Sequence, residues 1–289
     1  LNSQEPNFNV TEWIASQHCK AMDNKPIEIY VFIDPLCHDC WSIEPVIKRL
    51  QIEYGKYISF KHVLGAKLSA LNKMKNVRVE SSPANLQPSF KPEGRRSSES
   101  PVSTPYNASI AIKAAGLQGR RAGIRFLRKV QEMLFIEKMN ISDLDILYEC
   151  AKGAKLDTAE FVRDFASASA AKAFQCDLKI TSEMEVAELP TLVFFNHNIE
   201  EEGIKISGYY SYEIYKHILE EMLGGLPEPA EPPEVEEFMK IFRLASSSEI
   251  SSIYKMSHQD VEREMKKLVL RQLVQKISGT KDTYWKIID

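Results

Sequence analysis

The 289-residue sequence has no long apolar run, and stretches such as Leu192-Val193-Phe194-Phe195 fall far short of the roughly 20 residues that a membrane-spanning helix needs. Neither sign of charge dominates: 37 Lys+Arg face 40 Asp+Glu, for a net charge of −3. No segment is basic enough to bind a polyanion by charge alone, and no membrane partner is expected. The first ten residues, Leu1 to Val10, carry neither a basic n-region nor an apolar h-region, so no signal peptide is expected. Cysteine is scarce and odd in number, with only Cys19, Cys37, Cys40, Cys150 and Cys176. A secreted chain of this size would carry an even set with several bridges, so a cytoplasmic protein is expected. Walker, GxSxG, HExxH and GxGxxG motifs are missing, which leaves phosphoryl transfer, triad hydrolysis and dinucleotide binding without motif support. No cofactor is expected. Wholesale disorder is excluded by 44% hydrophobic and 27% charged residues.

What the sequence does have is punctuation. Prolines cluster between Pro83 and Pro105, in a stretch rich in Ser, Asn and Arg, and again between Pro227 and Pro233. The second cluster follows Gly224-Gly225, a helix-ending pair, and reads as a stiff extended linker between two domains. The 81–105 stretch is longer than ordinary connections and reads as a functional loop or a partly disordered one. Ile27 to Ile33 is β-branched and aromatic, suited to a buried strand. A helical pattern follows from Cys37, with Pro45 expected to kink it. Ile58 to Leu64 supplies a second strand, so residues 27–64 read as a βαβ unit. Helical patterning fills about 104–188: Thr104-Pro105 and Ser142 mark starts, and Asp157 with Glu160 reads as a capping box. Strand character returns at Pro190 to Phe195, and a turn at His197-Asn198 leads to a partner strand at Ile204-Lys205-Ile206. Ser211 then caps a helix bearing Ile214, Ile218, Leu219 and Met222. The order predicts an α/β sheet with an all-helical insertion.

One local motif carries a reaction. Cys37-His38-Asp39-Cys40 follows a strand and opens a helix, where free N–H groups and the helix dipole stabilise a thiolate. The i, i+3 spacing lets the sulfurs meet across one turn. A redox dithiol, half of a zinc site and a structural relic are the three readings. Zinc needs two further ligands, and His18-Cys19, the only other His/Cys pair, has no recognised half-site spacing; no metal is expected. Cys150, in an apolar helical context, reads as a small core hydrophobe, as does Cys176.

A strand, then CxxC at a helix start, then Pro45 five residues past Cys40, resembles the thioredoxin fold. Leu189-Pro190-Thr191 resembles that fold's cis-proline, which faces the dithiol and receives the backbone of a bound peptide. A helical insertion between the βαβ and ββα halves resembles the DsbA-like variant, and Ala114-Ala115-Gly116-Leu117-Gln118-Gly119 with Phe126-Leu127-Arg128 resembles its cytoplasmic FrnE-like branch. Phe32-Ile33-Asp34-Pro35-Leu36-Cys37, Cys40-Trp41 and the C-terminal extension are similar to the YjbH family, also called SpxH. That resemblance covers nearly the whole chain. It implies a non-enzymatic adaptor that binds the transcription regulator Spx and promotes its degradation by the ClpXP protease, a stress-response role in which ClpXP is reached through Spx. The His-rich N-terminal stretch of some relatives is missing. Leu36 stands where thioredoxins have Trp, and Asp39 where DsbA has His. A negative charge beside Cys37 disfavours its thiolate, so a thiol pKa near the unperturbed value of about 8.5 and weakened redox chemistry are expected. The alternatives are a cytoplasmic thiol-disulfide oxidoreductase using Cys37 and Cys40, and a redox-gated DNA-binding regulator.

The expected organisation is a DsbA-like thioredoxin domain over 1–226, a proline-rich linker over 227–233, and a winged-helix-like domain over 234–289. In the last, Val235–Leu244, a short helix from Ser248, a longer helix capped by Ser257, and a hairpin of Leu273–Ile277 with Thr283–Ile287 form three helices and a wing. DNA binding is the obvious reading, and the charges oppose it. The segment Ser257-His258-Gln259-Asp260-Val261-Glu262-Arg263-Glu264 would place three acids against phosphate. A protein-interaction role is expected instead. Arg120, Arg121, Arg125, Arg128 and Lys129 read as a solvated helix face, Glu200-Glu201-Glu202 as a hairpin tip, and Tyr209, Tyr210, Tyr212 and Tyr215 as a partly buried cluster.

Overall fold

The structure, a computed structural model, describes residues 25–65, 105–196, 198, 202–279 and 282–288. The readings for His18, Cys19, Thr104, the 81–105 loop short of Pro105, His197, Glu200 and Glu201 lie outside the described residues. The chain divides into two compact units: Glu28–Ser42 with Phe60–Tyr209 fall in one, and Lys25–Ile27, Ile43–Ser59 and Tyr210–Asp289 form the other. The division does not fall at the proline-rich segment. Residues 43–59 and 210–226 go with the C-terminal residues.

The first unit is built on a four-stranded sheet of order β2-β1-β3-β4, with β1 Ile27–Ile33, β2 Ile58–Leu64, β3 Thr191–Asn196 and β4 Ile204–Ser207. Strands β3 and β4 are antiparallel, with Thr191 opposite Ser207 and Phe194 opposite Ile204. β1 is central and buried at every position but Glu28, which is why its sequence is continuously apolar rather than alternating. Tyr30, Phe32, Val63, Ile180, Val186 and Val193 form one core cluster.

Among the described residues, five helices lie between β2 and β3: α3 Pro105–Leu117, α4 Arg120–Phe135, α5 Leu144–Gly153, α6 Thr158–Phe165 and α7 Ala168–Glu183. α3 packs on α4, α6 and α7, and its buried Ala108, Ala111, Ala114 and Ala115 allow that approach. The closest point falls on glycine: a Cβ on Gly123 would meet the Gly116 Cα at 3.0 Å. Helix starts follow local side-chain bonds. The Asp143 carboxylate accepts from the Asp145 N–H, so Asp143 is the cap and α5 starts at Leu144, two residues after the Ser142 start expected. Asp157 accepts from the Glu160 N–H, and Ser167 caps α7.

Before them come α1 His38–Ser42 and α2 Glu44–Tyr54. The expected kink at Pro45 is a full break at Ile43, and Pro45 sits in the first turn of α2, where its missing N–H removes no helical bond.

The second unit holds α2, α8 Tyr212–Leu223, α9 Val235–Phe242, β5 Leu244–Ser246, α10 Ser247–Tyr254, α11 His258–Leu270, β6 Val274–Ser278 and β7 Thr283–Ile287. α8 ends on Gly224 with φ 68°, a conformation that needs no Cβ. Ser211 stands at its N-cap, but its side chain makes no cap bond. α9 is two residues shorter than expected because the chain turns at Arg243, φ 66°, into β5, a strand the sequence pattern missed. Ser246, not Ser248, then caps α10 in a reciprocal capping box with Glu249. The small sheet has the order β5-β7-β6, all antiparallel. Its core gathers Phe238, Met239, Ile250, Ile253, Val261, Met265, Leu268, Val274 and Trp285, with Ile52 of α2 packed against it. Trp285 is fully buried and donates from Nε1 to Ser247 Oγ at 2.9 Å.

α2 is bound into this core by more than apolar contact. Lys48 Nζ lies 2.8 Å from Glu249 Oε1 and donates to the Leu244 carbonyl at 2.8 Å, with both charged side chains under a tenth exposed. Desolvation raises the Glu249 carboxyl above the usual range, and Lys48 opposes that shift. The proline-rich segment is held too: the Ala230 N–H donates to the Glu53 carbonyl at 2.9 Å, and Tyr254 Oη to the Pro233 carbonyl at 2.6 Å.

Candidate functional site

The dithiol turn is organised by Asp34, buried at the end of β1. Its carboxylate accepts from the Leu36 N–H at 2.8 Å, and its carbonyl accepts from the Cys37 N–H at 3.0 Å. Its own N–H lies 3.5 Å from Cys40 Sγ. Asp34 therefore closes the loop that carries Pro35 and Leu36 and delivers Cys37 to the start of α1. Cys37 is half-buried and Cys40 is 1% exposed; among the described residues all four cysteines are free.

The two sulfurs have opposite tendencies. Cys37 is lowered to about 6, first by the hydrogen bond from the Cys40 thiol and then by the backbone N–H groups of Cys40 and Asp39, against an opposing effect of burial. Cys40 is pushed far up, because it supplies that hydrogen bond and is buried. This corrects the expectation of a Cys37 thiol near its unperturbed value. The Asp39 charge acts in the direction expected, upward, but it is the smallest of the named causes. Asp39 is exposed, so water screens its carboxylate, while its own N–H points at the sulfur.

The turn meets residues distant in sequence. The Leu189–Pro190 peptide is cis, and the Leu189 carbonyl lies 3.9 Å from Cys37 Sγ. Pro190 is buried, and its carbonyl accepts from the Gly208 N–H at 2.8 Å. The structure thus brings Cys37, Cys40 and Pro190 together. Phe135, at the end of α4, joins them: its ring centroid lies 5.7 Å from that of His38 and 5.8 Å from that of Trp41. Nothing local marked Phe135, almost a hundred residues away. Asp34, by contrast, sits in the quoted Asp34-Pro35-Leu36-Cys37 run and carried a readable signal.

Cys150 is fully buried and its thiol is pushed up to about 12 by burial, whereas Cys176 is partly exposed. Tyr209 and Tyr210 are exposed, and Tyr215 is fully buried. The basic run on α4 is divided: Arg120, Arg121 and Arg125 are exposed, as expected of a solvated face, with Arg125 also donating to the Ala154 carbonyl at 3.0 Å and Arg120 to that of Phe60, while Arg128 and Lys129 are half-buried. At the start of α11, Arg263 pairs with Asp260, Lys267 lies 2.6 Å from Glu264, and Glu262 is shared by Lys266 and Lys276. Among the described residues no group of three or more His, Cys, Asp or Glu could hold a metal ion, and no helix is long and apolar enough to cross a membrane.

The thioredoxin family model matches residues 30–217, which include the dithiol turn and Pro190. The ClpXP adapter protein SpxH of Bacillus subtilis (strain 168) is 45% identical over 280 residues, covering 93% of this chain and 92% of that protein. The chain belongs to the SpxH family. The SpxH of Halalkalibacterium halodurans is also similar, at 41% identity over 280 residues, 93% of this chain and 92% of that one. Among solved structures, a probable DsbA oxidoreductase from Streptomyces coelicolor covers 72% of this chain and all of its own with a TM-score of 0.50 at 16% identity. A candidate protein disulfide isomerase from Nitrosomonas europaea gives 0.52 at 20% identity, over 69% of this chain and 98% of that one. At such identities these two speak for the fold alone: this SpxH family member has a thioredoxin fold of the DsbA-like kind.

Proposed function

We propose that the chain is an adaptor that binds Spx and promotes its degradation by ClpXP, acting in the cytoplasm without catalysing a reaction of its own. The observation that carries this reading is identity of 41% or more, over more than nine tenths of the chain, to proteins named ClpXP adapter protein SpxH. The fold supports it in kind. A thioredoxin sheet with a buried proline beside an open turn offers a peptide-receiving edge, and residues 234–289, read as a winged-helix-like domain, offer a second recognition surface. The α11 acids are tied to that helix's own cations and to Lys276, which favours a protein partner over DNA.

Thiol-disulfide exchange at Cys37 and Cys40 is the second reading, and one observation favours it: the Cys37 thiol lowered to about 6 is ionised at neutral pH and nucleophilic. Spx half-life with purified ClpXP and ATP separates the two. Adaptor action predicts that the full chain shortens the half-life and that Cys37→Ala/Cys40→Ala shortens it nearly as much. A double variant that binds Spx normally yet gives no acceleration would make the dithiol part of the mechanism.

A further inference from the structure

α11 turns Val261, Met265 and Leu268 into the core, and the opposite side of the helix repeats at the same period. His258, Glu262, Lys266 and Leu270 follow one another at i, i+4 spacing, with Arg263 and Lys267 beside them. These side chains line one hollow of about 640 Å³ on the surface of the second unit. It has the size of a small-molecule cleft but is open along its length, so it suits a segment of chain rather than an enclosed ligand.

Two properties of the hollow point to its occupant. At its C-terminal end Leu270 is 85% exposed, more than any other large apolar side chain among the described residues. The charge beside Leu270 is mostly of one sign. Arg263, Lys266 and Lys267 line the hollow against Glu262 alone, whereas Asp260 and Glu264, which pair with Arg263 and Lys267, do not line it. The cations also stand out from the acid: the side chains of Arg263 and Lys266 are each 68% exposed and that of Lys267 60%, against 31% for Glu262. Exposed ion pairs of this kind are weak, and an ammonium has three donors and a guanidinium five, so an arriving carboxylate can share these cations. The helix dipole favours cations in a last turn, but it does not call for a leucine among them.

We propose that the outer face of α11 docks an acidic segment of the adaptor's protein partner. The segment carries a large apolar side chain that covers Leu270, while its carboxylates meet Arg263, Lys266 and Lys267. This inference rests on the adaptor reading and gives that reading's second surface its chemistry. Duplex DNA fits the face less well. Its phosphates come at fixed spacing and would meet Asp260, Glu262 and Glu264 as well as the cations, and its backbone has nothing apolar to lay on Leu270. A peptide can carry carboxylates only where the cations are.

Calorimetric titration of the full chain with purified Spx, at several sodium chloride concentrations, tests this. Wild-type affinity should fall as salt rises. Lys266→Gln/Lys267→Gln should weaken binding about tenfold and flatten that salt dependence. Leu270→Ser should weaken it about tenfold and leave the salt dependence as it was. The two salt signatures separate a lost contact from a lost fold, because unfolding would act on both variants alike. A wild-type chain that does not bind Spx brings down the adaptor reading and this inference with it. Wild-type binding that either variant retains within about twofold overturns this inference alone. So does a duplex of about 20 base pairs that binds the wild-type chain as tightly as Spx does at physiological salt and is lost in Lys266→Gln/Lys267→Gln, since the face then serves nucleic acid.

Discussion

Two helix starts in this molecule differ in what they leave available to a partner. At the Cys37 turn, the N–H groups of Asp39 and Cys40 and the Cys40 thiol still point at the first sulfur, and its pKa falls to about 6. At the start of α11, Asp260, Glu262 and Glu264 are tied to Arg263, Lys266, Lys267 and Lys276. One start aims donors at a sulfur; at the other, acids and bases answer one another. Backbone donors at a helix start persist through side-chain change, whereas side-chain charge does not, so the first arrangement depends on the turn and the second on the residues at three positions.

If the C-terminal residues matter through packing, breaking that packing should give the largest effect. Lys48→Met leaves Glu249 buried without its cation and should cost about 3–5 kcal/mol in urea unfolding, while Lys48→Met/Glu249→Leu should recover most of the loss. The Cys37 titration should be untouched in both; a shift there would show that the two regions are not separable in this way.

Next in size is Cys40→Ala. Losing the thiol that donates to Cys37 should raise its midpoint from about 6 toward the ordinary 9.0, read as alkylation rate against pH. The same residue sets a pH dependence of stability. Its pKa is lower in the folded protein than in the unfolded chain, so between about 6 and 9.0 the unfolded chain binds more protons and stability rises with pH. That contribution is fully present above 9.0 and is lost as pH falls through about 6; Cys40→Ala should flatten this window. A smaller effect is expected from Asp260→Asn/Glu262→Gln/Glu264→Gln: a rise of about tenfold or less in weak duplex DNA binding, with a steeper salt slope. Tight DNA binding by the unaltered chain would break the comparison outright. Smallest is Asp39→Asn, a slight lowering of the Cys37 midpoint, since the Asp39 charge is the least of its causes.

Much of the fold was readable because its signals are local. The β-branched run before Cys37, the cap at Ser257 and the glycines closing α8 each act within a few residues. The dithiol and Pro190 were legible through motif and resemblance, and the electrostatics of Cys37 were not. A charge at Asp39 is visible in a sequence, but the direction of the Cys40 thiol and of two N–H groups is set by the turn. Lys48 and Phe135 were missed for a related reason. Each looks unremarkable among its neighbours and gains its role from a residue far along the chain: Glu249 for Lys48 and Trp41 for Phe135. Strand β5 was missed because three residues are too few to show a period.

The bonds that hold the proline-rich segment change how a deletion experiment should be interpreted. With Ala230 fastened to Glu53 and Pro233 to Tyr254, residues 227–233 serve as a strut rather than a tether. A chain cut at residue 226 would uncover Ile52 and leave Lys48 without Glu249, turning one side of α2 into a sticky, half-charged surface. Aggregation or rapid clearance of such a fragment would follow from that wound, whatever partner the missing residues bind. Point changes on the outer face of α11, which leave the strut in place, are the cleaner way to ask what the C-terminal residues recognise.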